Sequence, residues 1–317
     1  MESVAIIILN WNSYKDTFDC LKSIEKLDYD NYHVFLVDNF SQDNSLVKLE
    51  KDYIDKKFQL NLTFVKMKAN LGFAGGNNVA IKIAAEKNYK YIWMLNNDTI
   101  VDQNALKSLV VRMNKNENIG IVGSKIYYYN SNKIWFAGGQ INKHTGSTKH
   151  IGIREEDKSQ YNSFREVDYI TGCSLLFRKE VVDSTGYMSD DYFLYYEETD
   201  WNIRAKANGW LIYIEPKSVV YHKVSVSSGG ENNIAPYVDY YDIRNAYICF
   251  KRNRPKYLLS LAFIYMMFKA IKKHIRIFVK NQNRKFERSF YIIRGLKDAL
   301  HNNMGKHPNI EKNIKHR

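Results

Sequence analysis

The chain has 317 residues and a formal charge of +13, and 45% of its residues are hydrophobic. That is enough apolar material for a full core, which excludes a disordered or fibrous protein. The charge is concentrated at one end: residues 251–317 hold 18 Lys and Arg against 3 Asp and Glu, leaving 29 basic and 31 acidic groups in the rest.

In chain order, "VAIIIL" (Val4–Leu9) reads as a fully buried strand, continuous and branched instead of alternating. A polar turn and a helical pattern through "FDCLKSIEKL" follow. "HVFLVD" (His33–Asp38) is a second buried strand, succeeded by caps and a helix. "LTFVKM" is a third strand. "NLGFAGGNN" (Asn70–Asn78) holds a glycine-rich turn, after which "GGNNVAIKIAAEK" has helical spacing, and "YIWML" (Tyr91–Leu95) is a fourth strand. Strand and helix alternate at about 30 residues per unit, the pattern of a parallel sheet covered by helices with right-handed crossovers. Beyond Ile119 the segments "IGIVGSKIYYY", "KIWFAGGQI" and "VDYITGCSLLFRKEV" read as further strands of mixed direction. "YYEETDWNIRAKANGW" opens another helix, and "LIYIEPKSVVYH" is a last strand.

In a parallel sheet of this kind ligands bind beyond the carboxyl ends of the strands. The polar residues at those ends are therefore the candidates: Asn10 to Asn12, Asp38 to Ser41, Asn70 to Gly76, and Asn96 to Asp98. Asp98 suits a hard divalent cation, which takes one or two carboxylates and completes its shell with water and substrate phosphates. The alternative is that "NND" caps the helix begun by "VDQNAL". The glycine stretch lets backbone approach a ligand closely and can start a helix whose N–H groups favour an anion. It matches neither the Walker pattern nor G-x-G-x-x-G. Glu197, Glu198 and Asp200 place three carboxylates at a helix start. Part of this is structural, since acidic residues suit helix N-termini, but crowded carboxylates raise one another's pKa as a general base near neutrality needs. His222 stands at a strand end beside the same crevice, where a metal contact is possible.

Taken together, "VAIIILNWN", "VDNFSQDNS", "NLGFAGGNN", "LNNDT", "GCSLLFRKEV", "YYEETDWNIRAKANGW" and "YH" resemble glycosyltransferase family 2, the inverting nucleotide-sugar transferases, and within it the bacterial rhamnosyltransferase-like branch. The resemblance implies an α/β GT-A fold, a Rossmann-like, mostly parallel sheet flanked by helices. It also implies a catalytic domain over residues 1–230 and a basic, partly amphipathic helical extension over 231–317. Leu9, Asn10, Asn12 and Asp38 match positions holding the nucleotide base and ribose, and Asn70, Gly72 and Gly75 match the donor-pocket loop. "NND" (Asn96, Asn97, Asp98) stands at the D-x-D metal motif, with Asp98 the metal-binding carboxylate, Asn96 replacing the first acid, and Mn²⁺ or Mg²⁺ the implied cofactor. Glu198 falls on the catalytic-base position, as Glu where Asp is usual, with Glu197 the fallback and Asp200 completing the motif. His222 matches a metal or diphosphate contact. The implied partners are a dTDP- or UDP-sugar donor and a glycan or lipid-linked acceptor in cell-surface polysaccharide synthesis. Donor choice is expected to lie with Phe136–Gln140 and Thr171–Ser174.

"YVDYYDIRNAYICF" is similar to the Y-Y-x-x-R-N segment that follows the core in this branch. After it, apolar and cationic residues at helical spacing suit an interfacial helix on anionic lipid, with a helical cap or dimer contact with a solvated basic face the alternative. Nothing reads as a signal peptide, and no uncharged apolar run reaches the 18–20 residues or so that span a bilayer. The three cysteines, Cys20, Cys173 and Cys249, are far apart and read as reduced thiols of a cytoplasmic protein. The expected location is cytoplasmic, at the inner face of the membrane. Two other readings are an inactive sugar-nucleotide binder and a nucleic-acid-binding protein; the near-neutral body and the lack of a recognition motif argue against the latter.

Overall fold

The computed structural model describes residues 1–224 and 235–308. The expected domain boundary at residue 230 lies outside the described residues. Strands β1 (Val4–Asn10), β2 (Tyr32–Asp38), β3 (Leu62–Lys66) and β4 (Tyr91–Asn96) alternate with helices α1 (Tyr14–Ile24), α2 (Ser45–Ile54) and α3 (Gly72–Glu86). After β4 come β5 (Thr99–Val101), α4 (Ala105–Met113), β6 (Ile119–Tyr128), β7 (Ile134–Phe136), β8 (Gly139–Ile141), β9 (Thr148–His150), β10 (Arg165–Glu166) and β11 (Ser174–Arg178). The order continues with α5 (Lys179–Thr185), α6 (Glu197–Ala207), β12 (Leu211–His222), α7 (Tyr237–Asn253), α8 (Leu259–Val279) and α9 (Lys285–His301).

The main sheet runs β3-β2-β1-β4-β11-β6-β12-β10. Pairing is parallel from β3 to β4 and between β6 and β12; β11 is antiparallel to both its neighbours. This is the mixed, mostly parallel sheet expected from the segments beyond Ile119. Every residue from Val4 to Ile8 is fully buried, because β1 lies in mid-sheet with helices on both faces. Each of the valine and isoleucine side chains there contributes about 1.5–3 kcal/mol of transfer free energy. β3, at the sheet edge, is only half-buried.

Two local readings change. The helix expected from "GGNNVAIKIAAEK" starts earlier, because Gly72, read as part of the turn after β3, opens α3 itself. Gly76 is needed for packing, since a Cβ there would run into the Leu9 side chain. "NND" does not cap the next helix, because β5 intervenes and α4 starts at Ala105 with Asn104 at its N-cap.

Helices α7, α8 and α9 form a small layer against the core, with Tyr240, Tyr241 and Tyr291 of α7 and α9 packed around Phe193. Among the described residues no helix is long and apolar enough to cross a membrane.

Candidate functional site

The strand register gathers the predicted residues. Leu9 pairs with Asn96 and Asn10 with Asp38, so β1, β2 and β4 end side by side. β11 runs in from the other side, with the Cys173 carbonyl accepting the Asn96 N–H at 3.0 Å. β5 pairs with the end of β12, Thr99 opposite His222, which brings His222 beside Asp98. The imidazole Nε2 lies 3.1 Å from Asp98 Oδ1, and both residues are buried.

A cavity of about 240 Å³ opens over these strand ends. Leu9, Asn70, Gly72, Asn96, Asn97, Asp98, Glu197, Glu198 and His222 line it, with Thr171, Gly172 and Cys173 along the β11 side. The two carboxylates arrive on the first turn of α6, whose N-cap, Tyr196, is left-handed at φ 74° and makes no side-chain cap.

Other predicted residues build the walls without reaching the cavity. Asn10 donates through Nδ2 to Asp38 Oδ1 at 2.8 Å and accepts from the Thr17 hydroxyl at 2.8 Å. Asp38 also accepts the Ser41 N–H, and Asn12 accepts the Gln42 N–H through Oδ1 at 2.7 Å. These bonds fix the β1–α1 and β2–α2 loops against each other. Gly75 packs on the Leu71 side chain. Asp200 is turned away, accepting from Arg204 Nε at 2.8 Å and Asn253 Nδ2 at 2.7 Å, and so ties α6 to α7.

A profile described as Glycosyl transferase family 2 matches residues 5–186. The chain belongs to glycosyltransferase family 2. It is 26% identical over 299 residues to the dTDP-rhamnosyl transferase RfbF of Shigella flexneri, with 90% of this chain and 91% of that one aligned. It is 23% identical over 230 residues to the poly-beta-1,6-N-acetyl-D-glucosamine synthase of Staphylococcus epidermidis, covering 73% of this chain but 52% of that one, so it spans about half of that relative. Among solved structures, S. aureus TarS 1-349 in complex with UDP-GlcNAc superposes with a TM-score of 0.58 at 16% identity, covering 94% of this chain and 81% of that one. The mannosyltransferase PcManGT from Pyrobaculum calidifontis, in complex with GDP-Man and Mn2+, gives 0.57 at 15% identity, covering 99% and 79%. The fold of this family 2 glycosyltransferase is therefore the GT-A fold.

Within the family 2 site, burial raises Glu198 to about 7, against opposing backbone N–H contacts. Burial and then the charge of Glu198 push Glu197 well above the usual carboxyl range. Glu197 Oε2 is buried and has no hydrogen-bond partner among the described residues. For His222, burial works against the charged ring, but the Cys173 thiol and Asp98 outweigh it and hold the imidazole well above its ordinary value. Among the described residues no cluster of three His, Cys, Asp or Glu ligands occurs. The Asp98–His222 pair fits a cation that takes one or two protein ligands and leaves its other positions to water and phosphate oxygens.

Asn39, within the candidate stretch Asp38 to Ser41, also lines the cavity, whereas the lining residues Trp135, Phe193, Tyr195 and Tyr237 were not legible as candidates. Asn39 has a clear local role, its Oδ1 accepting the Leu71 N–H at 3.0 Å and its Nδ2 donating to the Gly72 carbonyl at 3.0 Å. Of the segments expected to set donor choice, Thr171–Cys173 does line the cavity, whereas Phe136 is core and its neighbour Trp135 faces the site.

Gly72 has φ +75°, and a Cβ there would overlap the Phe193 carbonyl, which accepts the Phe73 N–H at 2.8 Å. Gly72→Ala is expected to lose about 2–4 kcal/mol of stability from a strained backbone and overpacking combined. A lowered midpoint in urea unfolding checks this.

Proposed function

We propose that this glycosyltransferase moves a sugar from a nucleoside-diphosphate sugar to a hydroxyl of a glycan or lipid-linked acceptor in polysaccharide synthesis, with Glu198 as the base. The observation that carries the reading is the joint placement of Glu198 and the Asp98–His222 pair on one cavity at the strand ends. Glu198 removes the proton from the acceptor hydroxyl as its oxygen attacks the anomeric carbon from the face opposite the leaving group. The C–O bond to the diphosphate breaks, the nucleoside diphosphate departs, and the new linkage has inverted configuration. A carboxyl held near 7 suits this task, because it is ionised enough at neutral pH yet basic enough to take a proton. Asp98 and His222 would hold Mn²⁺ or Mg²⁺, which when bound neutralises charge gathering on the leaving diphosphate. Leu9, Asn70, Gly72, Asn96 and Asn97 would contact the donor; Asn10, Asn12, Asp38 and Gly75 would hold the loops that do. The relatives' substrates, a dTDP-rhamnosyl group, N-acetylglucosamine and mannose, give the donor panel. Titration calorimetry with dTDP-rhamnose, UDP-GlcNAc, UDP-galactose, UDP-glucose and GDP-mannose, each with Mn²⁺ and again with EDTA, tests the reading. One donor should bind and lose affinity in EDTA; no binding by any of them would overturn it.

The 231–317 extension serves, in this reading, to bring the site to a membrane surface. Leu261, Ile264, Phe268, Ile271, Ile275 and Phe278 are all exposed on α8, at spacings of three and four that put them on one stripe. The stripe is about 26 Å long. α9 adds exposed Phe286, Phe290 and Ile293. α8 has no acidic residue; of its cations Lys269 and Lys273 are paired with Asp242 and Asp239 of α7, and Lys272 and Arg276 are exposed. Two copies packed through this face would oppose like charges, whereas an anionic bilayer complements them at about 1 kcal/mol per basic residue. The protein is expected to sediment with vesicles containing phosphatidylglycerol and far less with pure phosphatidylcholine, and Ile264→Asp with Ile271→Asp should release it. A concentration-dependent doubling of mass without vesicle binding would make the face a dimer contact instead.

A further inference from the structure

The segment Phe193–Tyr196 carries Glu197 and Glu198 into the cavity and supplies part of its wall through Phe193, Leu194 and Tyr195. Its backbone is unusual. Phe193, Tyr195 and Tyr196 have φ of 65°, 66° and 74°, a left-handed region that bulky side chains avoid and that persists only where the surroundings enforce it. None of the three is a glycine or asparagine that would adopt this conformation unaided. Something must hold it, and the holding groups come from α7.

Asn245, fully buried, donates through Nδ2 to the carbonyls of Tyr192 at 3.1 Å, Leu194 at 2.8 Å and Tyr195 at 2.9 Å. Its neighbour fixes which way the amide points. Arg244 Nε donates to Asn245 Oδ1 at 2.8 Å, and a guanidinium can only donate, so the NH₂ end must face the loop. Arg244 Nη2 itself donates to the Tyr192 carbonyl at 2.9 Å, while Nη1 is anchored on the Gly305 carbonyl at 2.8 Å and the Tyr240 hydroxyl at 3.0 Å. From the other side the Phe73 N–H holds the Phe193 carbonyl, and the Tyr241 ring stacks on Phe193 with centroids 5.7 Å apart. The loop is thus gripped between the start of α3 and α7.

We infer that Arg244 and Asn245 are positioning residues for the reaction: by clamping the left-handed loop they hold Glu198 at the depth and orientation where it meets an acceptor hydroxyl. The inference rests on Glu198 being the base, and it gives α7 a part in the chemistry without contact to substrate. Asn245→Ala removes the amide that makes the three contacts; Arg244 loses the acceptor of its Nε but keeps its bonds to the Tyr192 and Gly305 carbonyls. Arg244→Lys keeps the charge and releases the amide, and serves if Asn245→Ala does not melt cooperatively.

The experiment measures UDP and dTDP affinity, nucleoside diphosphate release from the sugar nucleotide that the wild type consumes, and the pH dependence of that release. The expected result is diphosphate affinity within about threefold of wild type, release lowered about 10²-fold, and the pH–rate limb moved down from about 7 as the base becomes more hydrated. Release within about threefold of wild type would overturn the inference. So would affinity and release falling by the same factor, with the pH limb unmoved, because that is the signature of a merely structural role. Glu198→Gln run beside them separates the two claims. If it too retains turnover, the assignment of the base falls; if only the α7 variants retain it, the clamp alone falls.

Discussion

Glu198→Gln is expected to lower nucleoside diphosphate release by about 10²–10⁴-fold while leaving sugar-nucleotide affinity within a few-fold of wild type. The amide keeps the size of the side chain but cannot take a proton, so the loss falls on turnover and spares donor binding. The same residue sets the pH dependence. Because burial raises Glu198 to about 7, the base is ionised above that pH and protonated below it, so kcat/KM should fall as pH drops through about 7. An ordinary exposed carboxyl would keep the rate flat down to about 4–5. A limb near neutrality that vanishes in the residual activity of Glu198→Gln is the outcome to look for. A limb unchanged in that variant would assign the titration to another group.

Asp98→Ala is expected to cost at least about 10²-fold in turnover, and unlike Glu198→Gln to weaken donor binding in the presence of Mn²⁺ as well. In the proposed reading the cation would meet one carboxylate and one imidazole, with Asn96 where a second acid would add charge, so removing Asp98 would leave His222 as the single protein ligand. Charge neutralisation at a leaving diphosphate is worth several kcal/mol, and each 1.36 kcal/mol is tenfold in rate. Rates measured with Mn²⁺, Mg²⁺ and EDTA on both proteins check this. The variant should lie near the EDTA rate of the wild type whatever metal is added. A full response to Mn²⁺ in Asp98→Ala would place the cation elsewhere.

The strand ends were legible in the sequence because their signal is local and chemical. A buried run such as "YIWML" that stops at two amides and a carboxylate makes a claim about where the chain meets a ligand, and β4 with Asp98 lies where that claim put it. His222, also at a strand end, and Glu198, on the first turn of α6, line the same cavity. Whether Asn10, Asp38 and Asp200 face a ligand or their own neighbours is a question of direction. Sequence spacing does not encode direction at a loop, and the structure turns all three into internal hydrogen bonds. The wall residues Trp135, Phe193 and Tyr195 were illegible for a related reason, since an aromatic residue in a loop reads the same whether it meets core or cavity.

The clamp from α7 leaves even less trace. Left-handed backbone normally announces itself through Gly or Asn, and at Phe193, Tyr195 and Tyr196 it does not. The restraint comes from Asn245, some fifty residues further along, through carbonyls that every sequence possesses. The basic extension was legible as an amphipathic pattern. Its second contribution, Tyr237 in the cavity wall and Asn245 behind the loop, depends on how α7 docks.

The most direct measurement is the initial rate of nucleoside diphosphate release by the wild-type protein across the sugar-nucleotide panel with Mn²⁺, with Glu198→Gln and Asp98→Ala in parallel. The account expects one donor to turn over, slowly with water alone as acceptor, and both substitutions to abolish that release. Release that survives in both variants, or a wild type that neither binds nor cleaves any sugar nucleotide, would contradict it.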